Sequence, residues 1–310
     1  MYNLNELKNR LQLTSIDIIN SRMDVEVYKV YKNEQPFFLK IHNQHNNFIR
    51  EVEAIKQLSK KMFQVPNLVE VGTFSGSYFF IQEWWEGDTL LSIFSQMDFA
   101  EKKDTLFQAG QLLGKLNFCM TEDEIKSSEL WKYAYEGISN YNSYSWKNIY
   151  VNQFPKWLDI IDLKFQDNGQ SIKEALYKTM AKIAELDEAC RIGVIHRDYG
   201  LRNLMIKDGK LIGAIDFEYM IAGDPIFDLS KLIFNDISYN DDIELRNSFF
   251  LGWQSQTHME IPQERLQLYL AVQGAGAIQW VDKQPATDRE KYKEYRNKGI
   301  DILLSATRNL

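Results

Sequence analysis

The stretch "VIHRDYGLRNLMI", residues 194–206, constrains this chain more than any other, because it sets polar side chains inside an apolar frame. Val194 and Ile195 come first, and a Leu-Met-Ile run closes the stretch. The apolar ends predict two short strands, and the polar centre with Asp198 and Asn203 predicts the loop that joins them. Such a loop is either a hydrogen-bonded structural element or a reaction centre.

Composition and charge restrict the class of protein. The 310 residues are 45% hydrophobic and 25% charged, which is ordinary for a globular protein with a sizeable core. The net charge of −7 argues against a nucleic-acid partner, because phosphate contacts need clustered Lys and Arg. Cys119 and Cys190 lie far apart, which favours a reducing compartment.

The sequence contains no apolar run near the roughly 18–20 residues that a membrane helix needs. The segment "MYNLNELKNR" at the start lacks an apolar signal core. We therefore expect a cytoplasmic protein without a membrane partner, and no feature implies a protein partner.

The first eighty or so residues mix strands with one strong helix. The predicted elements are strands at 25–31 and 35–42, a helix at 46–61 capped by Asn46 or Asn47, and a hairpin that turns at Ser75 and Gly76. Helical patterns dominate afterwards, and one of them, at 171–190, is opened by Ser171 and Glu174 in capping-box spacing.

This order of elements predicts an α+β fold in two lobes. We expect a small β-rich lobe at 1–86, a hinge at about 82–87, and a larger, mainly helical lobe at 87–310.

The polar residues occur at spacings that suit phosphoryl transfer. Thirteen residues after Asn203, "LIGAIDFE" places Asp216 at the end of an apolar strand. Asp198 could orient an acceptor hydroxyl and take its proton, while Asn203 and Asp216 could hold Mg²⁺, which prefers oxygen ligands. Lys40 ends the predicted strand "PFFLK", where it could reach the nucleotide phosphates, and Glu51 on the next helix could pair with it.

These motifs resemble, in order and spacing, the signatures of the protein-kinase-like superfamily. "IDFEYMIAGDPIFDLSKL" is similar to the small-molecule branch, the aminoglycoside phosphotransferases with choline, homoserine and methylthioribose kinases as relatives. The resemblance runs from about Ile18 to the C-terminal helices and is strongest at 194–232. It implies a two-lobed protein-kinase-like fold in which 1–86 is the nucleotide-binding lobe and 87–310 binds the acceptor and carries the catalytic Asp198.

The sequence differs from a protein kinase in two respects. Gly200 replaces the lysine usually found two residues after the catalytic aspartate. Asp228 follows Asp216 by twelve residues without an "APE" motif, which leaves no room for a long activation segment. A small-molecule hydroxyl acceptor is therefore favoured over a peptide.

The expected nucleotide contacts include one departure from the family pattern. The phosphate-covering segment at 20–27 contains no glycine, so Ser21 is proposed as its phosphate contact. The hinge should offer backbone groups of Gln82 and Trp84 to a purine. The sequence leaves open whether the donor is ATP or GTP.

Several polar residues have structural explanations. We expect His196 to brace the loop by hydrogen bonding, Asp224 to serve as a turn residue before Pro225, and Asp228 to cap a helix. Glu53 is the alternative to Glu51 for pairing with Lys40, although counting back from "VP" at 65–66, as in the family, favours Glu51.

Nine aromatic residues occur between Trp131 and Trp157. They either form a surface that stacks on a sugar or cages a cationic amine, or they pack helices together. The acidic residues that could meet an aminated acceptor are Glu136, Glu218, Asp241, Asp242 and Glu260.

Three functions remain open at this point. The favoured one is a kinase for an amino-bearing compound of the aminoglycoside-antibiotic type, which would confer resistance. The second is a metabolic kinase of the choline or ethanolamine, homoserine or methylthioribose type. The third, from another class, is a pseudokinase that binds nucleotide without turnover, which only the glycine-free segment supports.

Overall fold

The computed structural model describes residues 4–22, 24–132, 134, 138–162, 169–187, 191–237, 242–308 and 310. The chain divides into two compact units. The first consists of Met1–Gln96 and Arg202–Ile221, and the second of Met97–Leu201 and Ala222–Leu310. The first unit thus extends beyond the range 1–86 that we predicted for the small lobe, and it includes a second segment of the chain.

In the described part of the chain, ten strands form three sheets. They are β1 (Ser15–Ser21), β2 (Val25–Lys32), β3 (Gln35–His42), β4 (Leu68–Phe74), β5 (Ser77–Glu83), β6 (Asp88–Thr89), β7 (Gly193–Ile195), β8 (Leu204–Lys207), β9 (Lys210–Ala214) and β10 (Ile221–Gly223).

Helices supply the rest of the described regular structure, together with three short 3₁₀ turns. They are α1 (Leu4–Arg10), α2 (His45–Lys60), α3 (Leu90–Phe94), α4 (Phe99–Asn117), α5 (Glu122–Ser127), α6 (Trp146–Ile160), α7 (Gly169–Ala184), α8 (Ile226–Asp236), α9 (Ile243–Thr257), α10 (Gln263–Asp282), α11 (Ala286–Arg289) and α12 (Lys293–Arg308). None of the helices in the described ranges combines the length and apolar character needed to cross a bilayer.

The first unit is built on an antiparallel sheet in the order β1-β2-β3-β5-β4. Alternating apolar residues of its strands, such as Leu39, Ile41 and Ile81, bury one face of the sheet with Leu7 and Leu11. The opposite face of β3 carries the residues between them, and α2 lies near this strand. Side-chain alternation therefore separates a hydrophobic core from a polar face.

A smaller sheet, β6-β8-β9, joins the two segments of the first unit. Asp88 and Thr89 pair with Ile206 and Met205 of β8, which places the hairpin formed by β8 and β9 beside the chain that follows β5. The Gly87 backbone has a φ of 143°, and a Cβ there would lie 2.5 Å from the Ile206 carbonyl oxygen. Only glycine allows this close approach.

The second unit consists mainly of helices, with β7 and β10 paired in a two-stranded sheet. Helices α4 and α9 approach so closely that a Cβ on Gly110 or Gly252 would lie 2.0 Å from a backbone oxygen of the opposite helix. Helices α10 and α12 contact at Gly274 and Gly299 in the same way. Small residues at these crossings let the helix backbones pack directly.

Most of the predicted elements are present, but two predicted helix caps are wrong. Helix α2 begins at His45 after Gln44, so Asn46 and Asn47 lie inside its first turn. Ser171 lies inside α7, which begins at Gly169, and Glu174 accepts a hydrogen bond from Gln170 instead. Both helices begin one or two residues earlier than their apolar pattern indicates. The predicted end of the second helix, at 190, falls outside the described residues.

The segment expected at 20–27 is shorter than predicted. Strand β1 continues to Ser21 and β2 starts at Val25, so only residues 22–24 connect them. The Arg22 amide donates to the Val25 carbonyl at 2.8 Å, which closes the turn. Ser21 therefore belongs to a strand and not to a loop.

Candidate active site

Lys40 lies at the centre of a buried charged cluster in the first unit. Its ammonium is 2.6 Å from Asp216 Oδ1, 2.8 Å from Glu51 Oε2 and 3.3 Å from Glu218 Oε2, and 3% of the side chain is exposed. Burial acts to lower the pKa of Lys40, but Asp216, Glu51 and Glu218 outweigh burial and hold this pKa above its usual value. Lys40 is therefore a fixed cation. The predicted pairing with Glu51 is confirmed, whereas Glu53 accepts from Gln57.

Glu51 is held by a second side chain of β3. His42, two residues after Lys40 and so on the same face of the strand, places its Nε2 at 2.9 Å from Glu51 Oε2. Both side chains are almost fully buried. The carboxylate thus contacts Lys40 and His42, and its orientation is fixed from two sides.

Glu218 is part of the cluster and not an acceptor-facing surface residue. Its side chain is 2% exposed, and Arg22 Nη2 lies 3.4 Å from its Oε1. Burial raises the pKa of Glu218, while Lys40 opposes that shift. His42, Glu51 and Glu218 have possible metal ligand atoms within 4.8 Å of one another, and the Lys40 ammonium contacts both carboxylates of this group.

Asn203 and Asp216 are brought together by backbone pairing. The amide of Ile215 donates to the Asn203 carbonyl at 3.0 Å, just beyond the paired ends of β8 and β9. Asp216 has a φ of 65°, a left-handed conformation that costs energy for a residue other than glycine and is typical of functional sites. An amide and a carboxylate supply hard oxygen atoms, so this pair fits Mg²⁺.

Six of the predicted site residues line one cavity of about 580 Å³ in the first unit. They are Lys40, Glu51, Gln82, Trp84, Asn203 and Asp216. Among the described residues of β1 and its turn, Ile19, Asn20 and Arg22 line this cavity and Ser21 does not. The Lys29 ammonium lies 4.1 Å from the centre of the Trp84 ring, a cation–π contact that holds the indole.

The loop with Asp198 belongs to the second unit. Asp198 is 7% exposed, and Lys231 Nζ of α8 lies 3.7 Å from its Oδ1. Asp228 accepts hydrogen bonds from the amides of His196 and Arg197 at 2.7 and 2.8 Å. These contacts fix the backbone just before Asp198.

Asp224 and Asp228 both make structural hydrogen bonds, and only the role of Asp228 differs from the prediction. Asp224 forms the turn before Pro225 as predicted, because its carbonyl accepts from the Phe227 amide and its Oδ1 from the Ile226 amide, both at 3.0 Å. Asp228 lies inside α8 and is not its cap; it holds the loop before Asp198, and burial raises its pKa to about 6. His196 is fully buried, its ring packs edge-on against Tyr199, and it braces the loop through the backbone bond to Asp228.

In the described part of the aromatic segment 131–157, some side chains pack helices together and others line a cavity. Trp146, Tyr150 and Phe154 are buried in α6, and the first two pack on Phe227. Other aromatics, Tyr141 and Tyr144 among them, line a second cavity, of about 570 Å³, in the second unit. Of the acidic candidates, Glu136 and Asp241 lie outside the described residues, Asp242 is half-buried and Glu260 is exposed.

Sequence reasoning missed His42, Arg22 and Lys231, and it assigned Glu218 to the wrong surface. "KIH" places His42 on the same face of the strand as Lys40, and "IDFE" places Glu218 two residues after Asp216, so the sequence indicates their proximity to the site but not their contacts. Lys231 lies 33 residues from Asp198, and no local pattern indicates their contact.

Comparison with known proteins identifies the family. The model of the phosphotransferase enzyme family matches residues 15–266. The chain belongs to this phosphotransferase family. The resemblance stated from the motifs is confirmed. The predicted enzyme class is confirmed as well: a phosphotransferase that acts on an alcohol group. No curated protein matches the sequence significantly.

Solved structures of other phosphotransferases share the fold. Aminoglycoside phosphotransferase APH(2'')-Ib with bound ADP is 16% identical with a TM-score of 0.68, each chain being 98% covered. Spectinomycin phosphotransferase APH(9)-Ia with ADP and spectinomycin is 12% identical with a TM-score of 0.68, at 99% and 98% coverage. A thermostable mutant of APH(4)-Ia with ADP and hygromycin B is 13% identical with a TM-score of 0.66, at 97% coverage of both chains. The predicted α+β kinase-like fold is confirmed.

Proposed function

We propose that this phosphotransferase moves the γ-phosphoryl group of ATP or GTP to a hydroxyl of an amino-bearing small molecule, with an aminoglycoside-type antibiotic as the favoured acceptor. The observation that carries the proposal is the buried Lys40 ammonium, which lies 3.3 Å or less from three carboxylates in the wall of a 580 Å³ cavity. A cation fixed in this way can bind phosphate oxygens without having to be ordered on binding.

Each predicted site residue has a role in this proposal. Lys40, oriented by Glu51, would bind the nucleotide phosphates, and backbone groups at Gln82 and Trp84 would contact the purine. Asn203 and Asp216 would hold Mg²⁺, which neutralises negative charge on the phosphates when it is bound. Ser21 as a phosphate contact has the weakest basis, because it lies in β1 outside the cavity lining.

Asp198 would act on the acceptor. The hydroxyl proton passes to its carboxylate as the oxygen forms a bond to the γ-phosphorus and the bond to the β-phosphate oxygen breaks. The nucleoside diphosphate then leaves with the electron pair of that bond. Positioning and charge neutralisation supply most of the catalysis in such a reaction.

The acceptor class rests on the related structures, because APH(4)-Ia is bound to hygromycin B and APH(9)-Ia to spectinomycin. The cavity near Tyr141 and Tyr144 does not decide the question, since Glu122 and Asp187 in its wall are accompanied by Lys147 and Arg191. A metabolic amino alcohol such as choline or ethanolamine therefore belongs in the same experiment.

The proposal is tested by measuring nucleotide consumption with ATP and with GTP against a panel of aminoglycosides, other amino-bearing antibiotics and amino alcohols. We expect turnover that depends on an acceptor and on Mg²⁺, and that falls at least a hundredfold in Asp198→Asn. Asp208→Asn, the same chemical change at an exposed residue of the turn between β8 and β9, should leave turnover unchanged.

The acceptor that stimulates turnover decides between an antibiotic and a metabolic substrate. Protection of a sensitive host by the gene, absent with Asp198→Asn, would support the resistance role. Nucleotide binding without hydrolysis or transfer, under conditions in which all variants are folded, would refute the kinase and support the pseudokinase.

A further inference from the structure

Helix α8 contacts the loop around Asp198 at three points. Asp228 accepts from the amides of His196 and Arg197 before the aspartate. Asp236 Oδ2 accepts from the amide of Leu201, three residues after it, at 2.9 Å. Between these two acceptors, Lys231 Nζ lies 3.7 Å from Asp198 Oδ1.

The spacing of the three α8 residues explains how one helix makes all these contacts. Lys231 and Asp236 follow Asp228 by three and eight residues, which places them within roughly 140° of one another around the helix axis. Two of these residues fix the loop backbone on either side of Asp198. The third, Lys231, therefore has a defined position relative to the Asp198 carboxylate, and its side chain is 17% exposed.

The same packing explains the glycine at position 200. A Cβ on Gly200 would lie 2.8 Å from Asp236 Oδ2, so the Asp236 carboxylate that holds the loop occupies this space. Lys231 reaches the Asp198 carboxylate from α8, the helix that also supplies Asp236.

We propose that Lys231 is a positioning residue for the phosphoryl transfer proposed above, on which this inference rests. Its ammonium orients the Asp198 carboxylate, which accepts the hydroxyl proton. Lys231 keeps its own proton throughout, and Asp198 is the group that touches the acceptor. Loss of Lys231 should therefore slow turnover more than it weakens substrate binding.

Lys231→Met and Lys231→Arg test the proposal. With the acceptor that the panel identifies, we expect Lys231→Met to lower kcat at least tenfold while KM for the nucleotide changes less than threefold, and Lys231→Arg to recover most of the rate. Lys103→Met is the matched control, because Lys103 is a helical lysine of the same unit that also forms an ion pair, with Glu244 at 3.0 Å on the surface. It should leave both constants unchanged.

A double-mutant cycle tests the contact without using activity. The unfolding equilibria of wild type, Lys231→Met, Asp198→Asn and the double variant should be non-additive by at least threefold, because the two side chains interact directly. Additive effects would show that the ion pair does not form in solution and would overturn the inference.

Activity separates the two ideas. If the wild type shows no acceptor-dependent turnover, the proposed function fails and the inference fails with it. If the wild type turns over and loses activity in Asp198→Asn, but Lys231→Met keeps the wild-type kcat, only the role of Lys231 is refuted.

Discussion

Replacing Lys40 by Met should destabilise the first unit far more than loss of an ordinary ion pair. Met has nearly the same length as Lys but no charge, so the variant removes the buried cation that contacts both Glu51 and Glu218, each 2% exposed, and leaves Glu218 with the half-exposed Arg22 at 3.4 Å. Removing one partner of a buried ion pair costs about 3–5 kcal/mol, since the remaining charge stays buried and unpaired. We expect a loss of about 4 kcal/mol in the free energy of unfolding at pH 7.

The control is Lys32→Met, which removes an ion pair from the same sheet. Lys32 lies 2.7 Å from Glu70, but 25% and 40% of the two side chains are exposed. Solvent screens such a pair, and its loss should cost less than about 1 kcal/mol. The N–O separations in the two ion pairs are similar. A difference in stability loss between the two variants therefore reports burial and not distance.

Urea unfolding at pH 7 and pH 5 measures both variants. Burial raises the pKa of Glu218 even when Lys40 is present. Without Lys40 this carboxylate takes up a proton still more readily, so the penalty of Lys40→Met should shrink at pH 5 while that of Lys32→Met stays constant. A loss below about 1 kcal/mol for Lys40→Met, or equal losses in the two variants, would refute the reasoning.

Three further outcomes are expected. Burial raises the pKa of Asp228 from 3.8 to about 6, so the folded protein holds this proton more tightly than the unfolded chain. Stability should therefore fall by up to about 3 kcal/mol as the pH rises from about 4 to 6. The stability of Asp228→Asn, measured by urea unfolding across that pH range, should lack this decrease. Parallel curves of stability against pH for the variant and the wild type would contradict the prediction. Gly252→Ala should lower stability by more than about 2 kcal/mol in thermal unfolding, because the added Cβ would lie 2.0 Å from the Phe107 carbonyl. Leu251→Ala, at an exposed position of the same helix, should not lower stability in this way. Equal losses in the two variants would count against the close packing of the helices. His42→Phe should lower the free energy of unfolding by about 1–3 kcal/mol, because it removes a hydrogen-bond partner of Glu51. His42→Gln should recover part of that loss in urea unfolding. No loss of stability in His42→Phe would show that the His42 contact is dispensable.

Local patterns predicted the regular elements well, since strand alternation and helical periodicity are short-range properties. Strand β3 matches the predicted range 35–42, and the loop with Asp198 lies between β7 and β8 as expected. The ion pair of Lys40 with Glu51 followed from a family spacing. Helix starts were less accurate, because α2 begins without a side-chain cap hydrogen bond.

The contacts that complete the cluster and the loop depend on tertiary packing. Strand spacing alone does not show that His42 meets Glu51, since that contact requires α2 to pack on one chosen face of β3. Lys231 meets Asp198 only because Asp228 and Asp236 fix α8 along the loop. Burial reverses the expectation for Glu218, which looked like a surface acid.

The two-segment composition of the first unit has a consequence for biosynthesis. Strands β8 and β9 complete the sheet that β6 begins, yet more than a hundred residues of the second unit are translated between them. A ribosome that has released only residues 1–96 has not yet made Asn203, Asp216 or Glu218. The nascent chain must therefore keep its first sheet soluble, with Lys40 lacking two of its three carboxylates, until residue 221 has emerged.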